Sequence, residues 1–237
     1  MPTFTGSIVV LTGIGAEGQV GEVVAAAFAR LGASLVLVDR TAEKVDARAA
    51  ALTAAGASAA AYPCDLTDAA AVAALAERVR KEHGGAIHAL VHMAGGFAMS
   101  GPVADSSLDL WNRQLAINLT TAYLTARAFL PALREGRGAL VFFASQAALP
   151  GSTGAKTSAY AAAKSGVLAL MRAIAAEERT HGVRANAVAP TSIRTATNVR
   201  DMGNDVRYVE REEVADVVTF LCSSAANAIS GTVVPLA

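Results

Sequence analysis

The stretch Ser7-Ile8-Val9-Val10-Leu11-Thr12-Gly13-Ile14-Gly15-Ala16-Glu17-Gly18-Gln19-Val20-Gly21 decides how this chain is read. Ser7 to Thr12 is a continuous β-branched run, the signature of a strand buried on both faces. Gly13, Gly15 and Gly18 then spell G-x-G-x-x-G, and a helix runs from Gln19 to Leu31, stopped by Gly32. Glycines let backbone N–H groups approach a pyrophosphate closely, and the positive end of the helix favours the anion. The strand–turn–helix context is what gives the match its meaning.

Outward from this unit the pattern repeats. Ser34 to Val38 is a second strand ending at Asp39, and Thr41 can cap a helix running to about Ala55. Ser58 to Tyr62 is a third strand, followed by a helix from Asp68 to His83, capped by Thr67 or Asp68. Ile87 to His92 is strand four, Leu108 to Leu133 one long or broken helix, and Gly138 to Ala144 strand five. Ser158 to His181 is a long helix, Val183 to Val188 strand six, Arg211 to Ser223 a helix, and Ile229 to Val234 a last strand. Strands alternating with helices, with no linker, predict a single α/β domain over residues 1–237. It is Rossmann-like, a doubly wound parallel seven-stranded sheet with helices on both faces. A (β/α)8 barrel would need an eighth unit. The polar stretch Thr195 to Glu210 reads as a mobile flap.

Composition narrows the class. Lys plus Arg and Asp plus Glu are 20 each, so the net charge is zero and no basic stripe offers a nucleic-acid surface. Hydrophobic residues make up 53% of the chain, too many for disorder, although 55 alanines make much of that helix methyl surface. Cys64 and Cys222 form no disulfide framework and read as reduced thiols of a cytoplasmic protein. The N-terminus lacks a basic leader, and no run of about 18 uncharged apolar residues predicts a membrane span. No His, Cys, Asp or Glu cluster has metal-ligand spacing, so no metal is expected.

Asp39 lies about 20 residues beyond the glycines, where a carboxylate accepts from a ribose 2′-hydroxyl and repels a 2′-phosphate. This favours NAD. The adjacent Arg40 can stack on adenine or reach a 2′-phosphate, which keeps NADP open. Asp65, after strand three, can meet the adenine edge or cap the next helix. A methyltransferase shares a glycine turn and an acidic residue, so the second half of the chain must decide.

There, Tyr160-Ala161-Ala162-Ala163-Lys164 opens a helix and sets a phenol and an ammonium on one face. A neighbouring cation favours the phenolate. Ser145 falls at the carboxyl end of strand five, where open α/β sheets bind ligands, and its hydroxyl can hold a carbonyl oxygen. Asn118 sits mid-helix, where an amide is unhelpful unless it bonds something, and can perturb the helix and hold water against Lys164.

On these residues the chain resembles the short-chain dehydrogenase/reductase family from Ser7 to about Pro235. Thr12-Gly13 matches the start of the family's T-G-x-x-x-G-x-G turn, Asp65 its D-x-T-D site, and Ala94-Gly95 the end of its N-N-A-G segment. Asn118, Ser145, Tyr160 and Lys164 match its catalytic set, and Thr195 the threonine after its P-G turn, here Pro190-Thr191. The resemblance implies a cofactor site of Gly13, Gly15, Gly18, Gln19, Val20, Asp39, Arg40, Asp65, Leu66, Ala94, Gly95, Tyr160, Lys164, Pro190, Thr191, Ile193 and Thr195. The chain also departs from the pattern. Two extra residues enlarge the glycine turn, so that Gly21 matches the last motif glycine and Gln19 replaces the middle one. Met93 replaces an asparagine that ties strands together, Thr191 replaces a glycine, and the Ser145-to-Tyr160 spacing is about two residues longer than usual.

The resemblance implies hydride transfer between a nicotinamide and a carbonyl or secondary alcohol. Tyr160 moves the proton, Ser145 steadies the oxygen, Lys164 lowers the Tyr160 pKa and Asn118 holds a water. The rival is an NAD-binding sensor or scaffold without turnover. Helices 108–133 and 158–181 carry small apolar residues on several faces and match the family's dimer interface, which implies a homodimer or homotetramer. Gly95 to Met99 and the flap suggest a partly apolar substrate pocket, better suited to acyl or cyclic ketones than to sugars. His92 reads as a core histidine near the cofactor edge rather than a catalytic group.

Overall fold

The computed structural model describes residues 3–14 and 16–237. Seven strands form one sheet: β1 (Ile8–Thr12), β2 (Ser34–Asp39), β3 (Ser58–Pro63), β4 (Ala89–His92), β5 (Ala139–Phe143), β6 (Arg184–Pro190) and β7 (Val233–Leu236). Their order is β3-β2-β1-β4-β5-β6-β7, with every neighbouring pair parallel. The winding direction reverses between β1 and β4, which opens a crevice at their carboxyl ends.

Side-chain alternation explains the layers. Val9 and Leu11 of β1, with Leu35 and Leu37 of β2, face one side. There they meet α1 (Val20–Arg30), α2 (Ala42–Ala54) and α8 (Arg211–Cys222) through Val24, Phe28, Val45, Val214 and Val218. Val10, Val36 and Val38 face the other side, against α3 (Ala69–His83), α5 (Thr121–Gly136) and α6 (Ser158–Glu177). Both faces are covered, so the strands read as unbroken apolar runs. α6 is long and apolar enough to cross a membrane by length and composition. Here it is a core helix, with Val167, Leu168, Met171 and Ile174 buried on the sheet.

The helix expected to be long or broken is broken: a wide π-type turn over Ala116–Thr120 separates α4 (Leu108–Leu115) from α5. Two expectations are corrected. The last strand begins at Val233 rather than Ile229. Residues 229–232 are a turn stitched to β6: Asn186 Nδ2 donates to Ile229 O at 2.9 Å, Thr232 N donates to Asn186 Oδ1 at 3.1 Å, and Gly231 N to Ala185 O at 2.7 Å. The stretch 195–210, in which no helix was expected, is helical in its first half. It holds α7 (Ala196–Met202), capped by the Thr195 hydroxyl, and returns so that Val209 bridges Ile193. Its polar sequence hid a helix that is exposed and buries none of its side chains.

Candidate active site

The crevice holds two adjoining cavities of about 510 and 500 Å³ that share Gly95, Gly96 and Phe97 as a common wall. The first is lined by Gly13, Asp39, Arg40, Asp65, Leu66, Ala94 and Gly95, together with Lys44 and Gln114. The second is lined by Gln19, Gly95, Ser145, Tyr160, Lys164, Pro190, Thr191, Ile193 and Thr195. Of the residues named from the sequence, Gly18 and Val20 line neither cavity, and Gly15 lies outside the described residues. Asn118 acts on the shared wall from behind.

The turn after β1 is tight where the first cavity begins. Gly13 has φ +73°, and a Cβ there would lie 2.7 Å from Ala94 N. Gly21 opens α1 so close to the turn that a Cβ would meet Ile14 Cα at 2.7 Å and Gly13 O at 2.8 Å. Gly21 therefore provides the close helix–turn packing expected of the last motif glycine. Gly18 has a different use: its carbonyl accepts from Ala196 N at 2.9 Å, while Gln19 Nε2 donates to Thr197 Oγ1 at 3.1 Å. The enlarged turn thus supports the start of α7.

Glu22, in the first turn of α1, accepts from Gly18 N at 2.8 Å and pairs with Arg48 at 2.7 Å and Arg211 at 3.6 Å. Burial pushes its pKa up, but the Gly18 N–H and the two arginines outweigh it and hold the carboxyl below its usual range. The sequence reading passed over Glu22. An acidic residue four positions after a motif glycine was the signal available.

Asp39 closes β2, and its Oδ1 accepts from Thr41 N at 3.2 Å. Thr41 occupies the cap position of α2 but makes no side-chain cap bond. Asp65 accepts from the Thr67 hydroxyl at 2.7 Å and Thr67 N at 2.9 Å, bonds that hold its pKa down. It does not cap α3. Asp68 does, accepting from Ala70 N and Ala71 N at 2.8 and 3.1 Å.

In the second cavity Tyr160 and Lys164 stand one helical turn apart, with Nζ 5.8 Å from the phenol ring centroid. Lys164 is buried and donates to Phe143 O at 2.7 Å. Burial lowers its pKa to about 8. An ammonium carries three donors, so two remain to face the cavity. Burial raises the Tyr160 pKa, and the neighbouring Ser145 hydroxyl pulls it back down. Burial is the larger effect, so the phenol lies above its ordinary range, and the Lys164 ammonium is turned to Phe143 O. Phe97, largely exposed, packs edge-on against the Tyr160 ring with centroids 5.1 Å apart.

The wide turn in front of α5 presents Asn118 to the shared wall. π-type turns are rare and concentrate at functional sites. Asn118 Oδ1 accepts from Gly96 N at 3.1 Å, and Nδ2 donates to Gly96 O at 2.9 Å. Gln114, one turn earlier and buried, steadies the same amide through its backbone carbonyl at 3.1 Å and its Oε1 at 3.2 Å. Gln114 was missed because a lone glutamine on a helix carries no pattern.

These features fit a nicotinamide dinucleotide. A turn with no room for Cβ lies at a helix N-terminus, a carboxylate closes β2, and a buried ammonium with unused donors sits beside a phenol. Fold and site together define a Rossmann-type oxidoreductase. A family model described as enoyl-(acyl carrier protein) reductase matches residues 13–236. D-threitol dehydrogenase of Mycolicibacterium smegmatis is 34% identical over 95% of this chain and 89% of its own. Meso-2,3-butanediol dehydrogenase of Serratia marcescens is 35% identical over 98% of this chain and 94% of its own. The crystal structure of NAD+-bound xylitol dehydrogenase superposes with a TM-score of 0.89 at 25% identity, covering 98% of each chain. The chain belongs to the short-chain dehydrogenase/reductase family and is an oxidoreductase acting on alcohols or carbonyls.

Proposed function

We propose that the chain interconverts a small secondary alcohol, with a second hydroxyl next to the reacting carbon, and its ketone, using NAD. The reading rests on Ser145, Tyr160 and Lys164 converging on one cavity whose wall continues into the lobe closed by Asp39. Bound NAD would accept or return the hydride at its nicotinamide ring. Tyr160 takes the hydroxyl proton in oxidation and gives it back in reduction. Ser145 holds the substrate oxygen. Lys164, below its pKa of about 8, supplies a cation beside the phenol and donors toward a ribose. Asn118 fixes Gly96 between the two lobes and holds a water toward Lys164. Ile193 and Thr195 meet the carboxamide, and Gly13, Asp39, Arg40, Asp65 and Leu66 hold the adenosine half.

The substrate class draws on two supports. Relatives named for threitol and 2,3-butanediol act on vicinal diols. The cavity beside Tyr160 pairs an apolar side, Phe97 and Ile193, with a polar side, Asn198 and Asp201 of α7. The test is absorbance at 340 nm with NAD+ and a panel of meso-2,3-butanediol, D-threitol, xylitol and cyclohexanol, with Tyr160→Phe as control. Turnover of a diol by the parent and not by Tyr160→Phe is expected. No turnover of any panel member, with NADH still bound, would favour a sensor or scaffold.

Self-association belongs to the same reading. The outer face of α6 exposes the small apolar Ala162, Ala169 and Ala173, and that of α5 the large Tyr123, side chains suited to helix-on-helix packing. Light scattering should give a dimer or tetramer, and a mass of 24.1 kDa at micromolar concentration would exclude it.

A further inference from the structure

His92 ends β4, in register with Thr12 of β1 and Phe142 of β5, and its ring is buried. Nδ1 lies 3.1 Å from Thr12 Oγ1, and Nε2 lies 3.3 Å from Thr121 Oγ1. The neighbours fix every proton in this chain of bonds. The Thr121 hydroxyl donates to Ile117 O at 2.9 Å, so toward His92 it can only accept, and Nε2 carries a hydrogen. Thr12 Oγ1 already accepts from Met93 N at 3.2 Å and Ala94 N at 3.3 Å, so its single hydrogen points to Nδ1. The imidazole is therefore the neutral Nε2–H tautomer. Burial, reinforced by the Lys164 charge, keeps its pKa near 3.

The two ends of this chain are both functional. At one end Thr12 holds the backbone of Met93 and Ala94 beside the first cavity. At the other, Ile117 and Thr121 bracket Asn118 in the wide turn. We infer that His92 is a positioning residue, a neutral bridge from Thr12 to Thr121 that sets the wide turn, and with it Asn118, at a fixed place relative to the cofactor edge of the sheet. The bridge also accounts for the tolerance of Met93, since Thr12 and His92 tie β1 and β4 where an asparagine amide is missing. This inference rests on the proposed dehydrogenase reading for its kinetic consequences, but not for its geometry.

The test therefore has two parts. With histidine labelled by nitrogen-15, NMR of the dinucleotide-free protein should show His92 as a neutral Nε2–H tautomer that does not titrate between pH 5 and 9. An Nδ1–H tautomer, or a titration in that range, would overturn the assignment whether or not any substrate is found. The second part uses variants. His92→Asn keeps an acceptor for Thr12 and loses the bond to Thr121, and Thr121→Val loses the same bond from the other side, together with the hydroxyl's bond to Ile117 O, with little change in shape. Each should lower kcat at least tenfold with whichever diol the parent oxidises, while NADH binding by fluorescence stays within about twofold. The double variant should be no worse than the weaker single one. Unchanged kcat in Thr121→Val, or kcat and NADH binding falling together, would reduce His92 to a structural strand tie.

Discussion

Asn118 grips Gly96 by both of its backbone groups, accepting from the N–H at 3.1 Å and donating to the carbonyl at 2.9 Å. A side-chain amide thus completes the two hydrogen bonds that a neighbouring strand would otherwise supply. The grip requires its neighbour to be glycine, because a Cβ on Gly95 would lie 2.5 Å from Asn118 Oδ1. Asn118→Leu strands both Gly96 groups and the Gln114 acceptors, each bond being worth about 1 kcal/mol net. The two Nδ2 hydrogens are shared among three acceptors, so we expect the loss of about three bonds, about 3 kcal/mol in urea unfolding, and at least a tenfold fall in kcat. A variant with parental kcat would show that the grip is irrelevant to turnover.

Lys164 gives a prediction of opposite sign. Its ammonium is buried, and its pKa falls from 10.5 to about 8. The unfolded chain holds this proton up to its ordinary pKa, so between about pH 8 and 10.5 it binds more protons than the folded one. Stability contributed by this group therefore rises with pH through that window, and the full cost of the buried charge is present below it. The shift corresponds to about 3 kcal/mol, reduced in practice by the lost bond to Phe143 O when the residue is replaced. Lys164→Met should raise Tm at pH 7 by several degrees while abolishing turnover, the exchange of stability for activity expected at a functional site. A lower Tm in this variant would mean the ammonium is stabilising where it lies.

Much of this was legible in the sequence because the signals were periodic or fixed in spacing. The β-branched runs gave the strands, and Tyr160 and Lys164 at one helical turn gave a shared face. Other features depended on long-range bonds with no local mark. Asn186, bonding Ile229 and Thr232, holds residues 229–232 against β6 as a turn rather than a strand, and no pattern within Ile229 to Val234 records that. α7 is two turns long, carries only Ala196, Val199 and Met202 as apolar residues and buries none of them, so hydrophobic periodicity had little to read. The Tyr160 pKa illustrates a third limit. Spacing puts a cation on the same helix face, whereas burial, which raises this pKa, is a property of the assembled site.

The proposed use of NAD rests on the lobe where Asp39 stands with Arg40 and Lys44. The carboxylate repels a 2′-phosphate, and the two cations would attract one once it is gone. Asp39→Ser should shift the ratio of NADPH to NADH affinity at least tenfold toward NADPH, read by nicotinamide fluorescence. Arg40→Ala on top of it should reverse most of that gain. An Asp39→Ser protein still preferring NADH as strongly as the parent would assign the preference to the enlarged glycine turn.

Tyr208 gives the last prediction. It is buried beneath the return of the flap, donates to Gly203 O at 2.6 Å and lies 3.2 Å from Asn198 O, so it holds the carboxyl end of α7. The Arg194 guanidinium stacks on its ring at 4.8 Å and pairs with Glu210 at 2.7 Å. The other end of α7 rests on the glycine turn through Gly18 O. Tyr208→Phe keeps the buried ring and the stacking but frees the Gly203 and Asn198 carbonyls, so α7 loses the anchor at its carboxyl end. Opening of such a segment commonly governs product release. The variant should release NADH three- to tenfold faster in stopped-flow fluorescence, at a stability cost of about 1 kcal/mol. Unchanged release with the same stability loss would mean that α7 does not gate the dinucleotide, and that Tyr208 serves the fold alone.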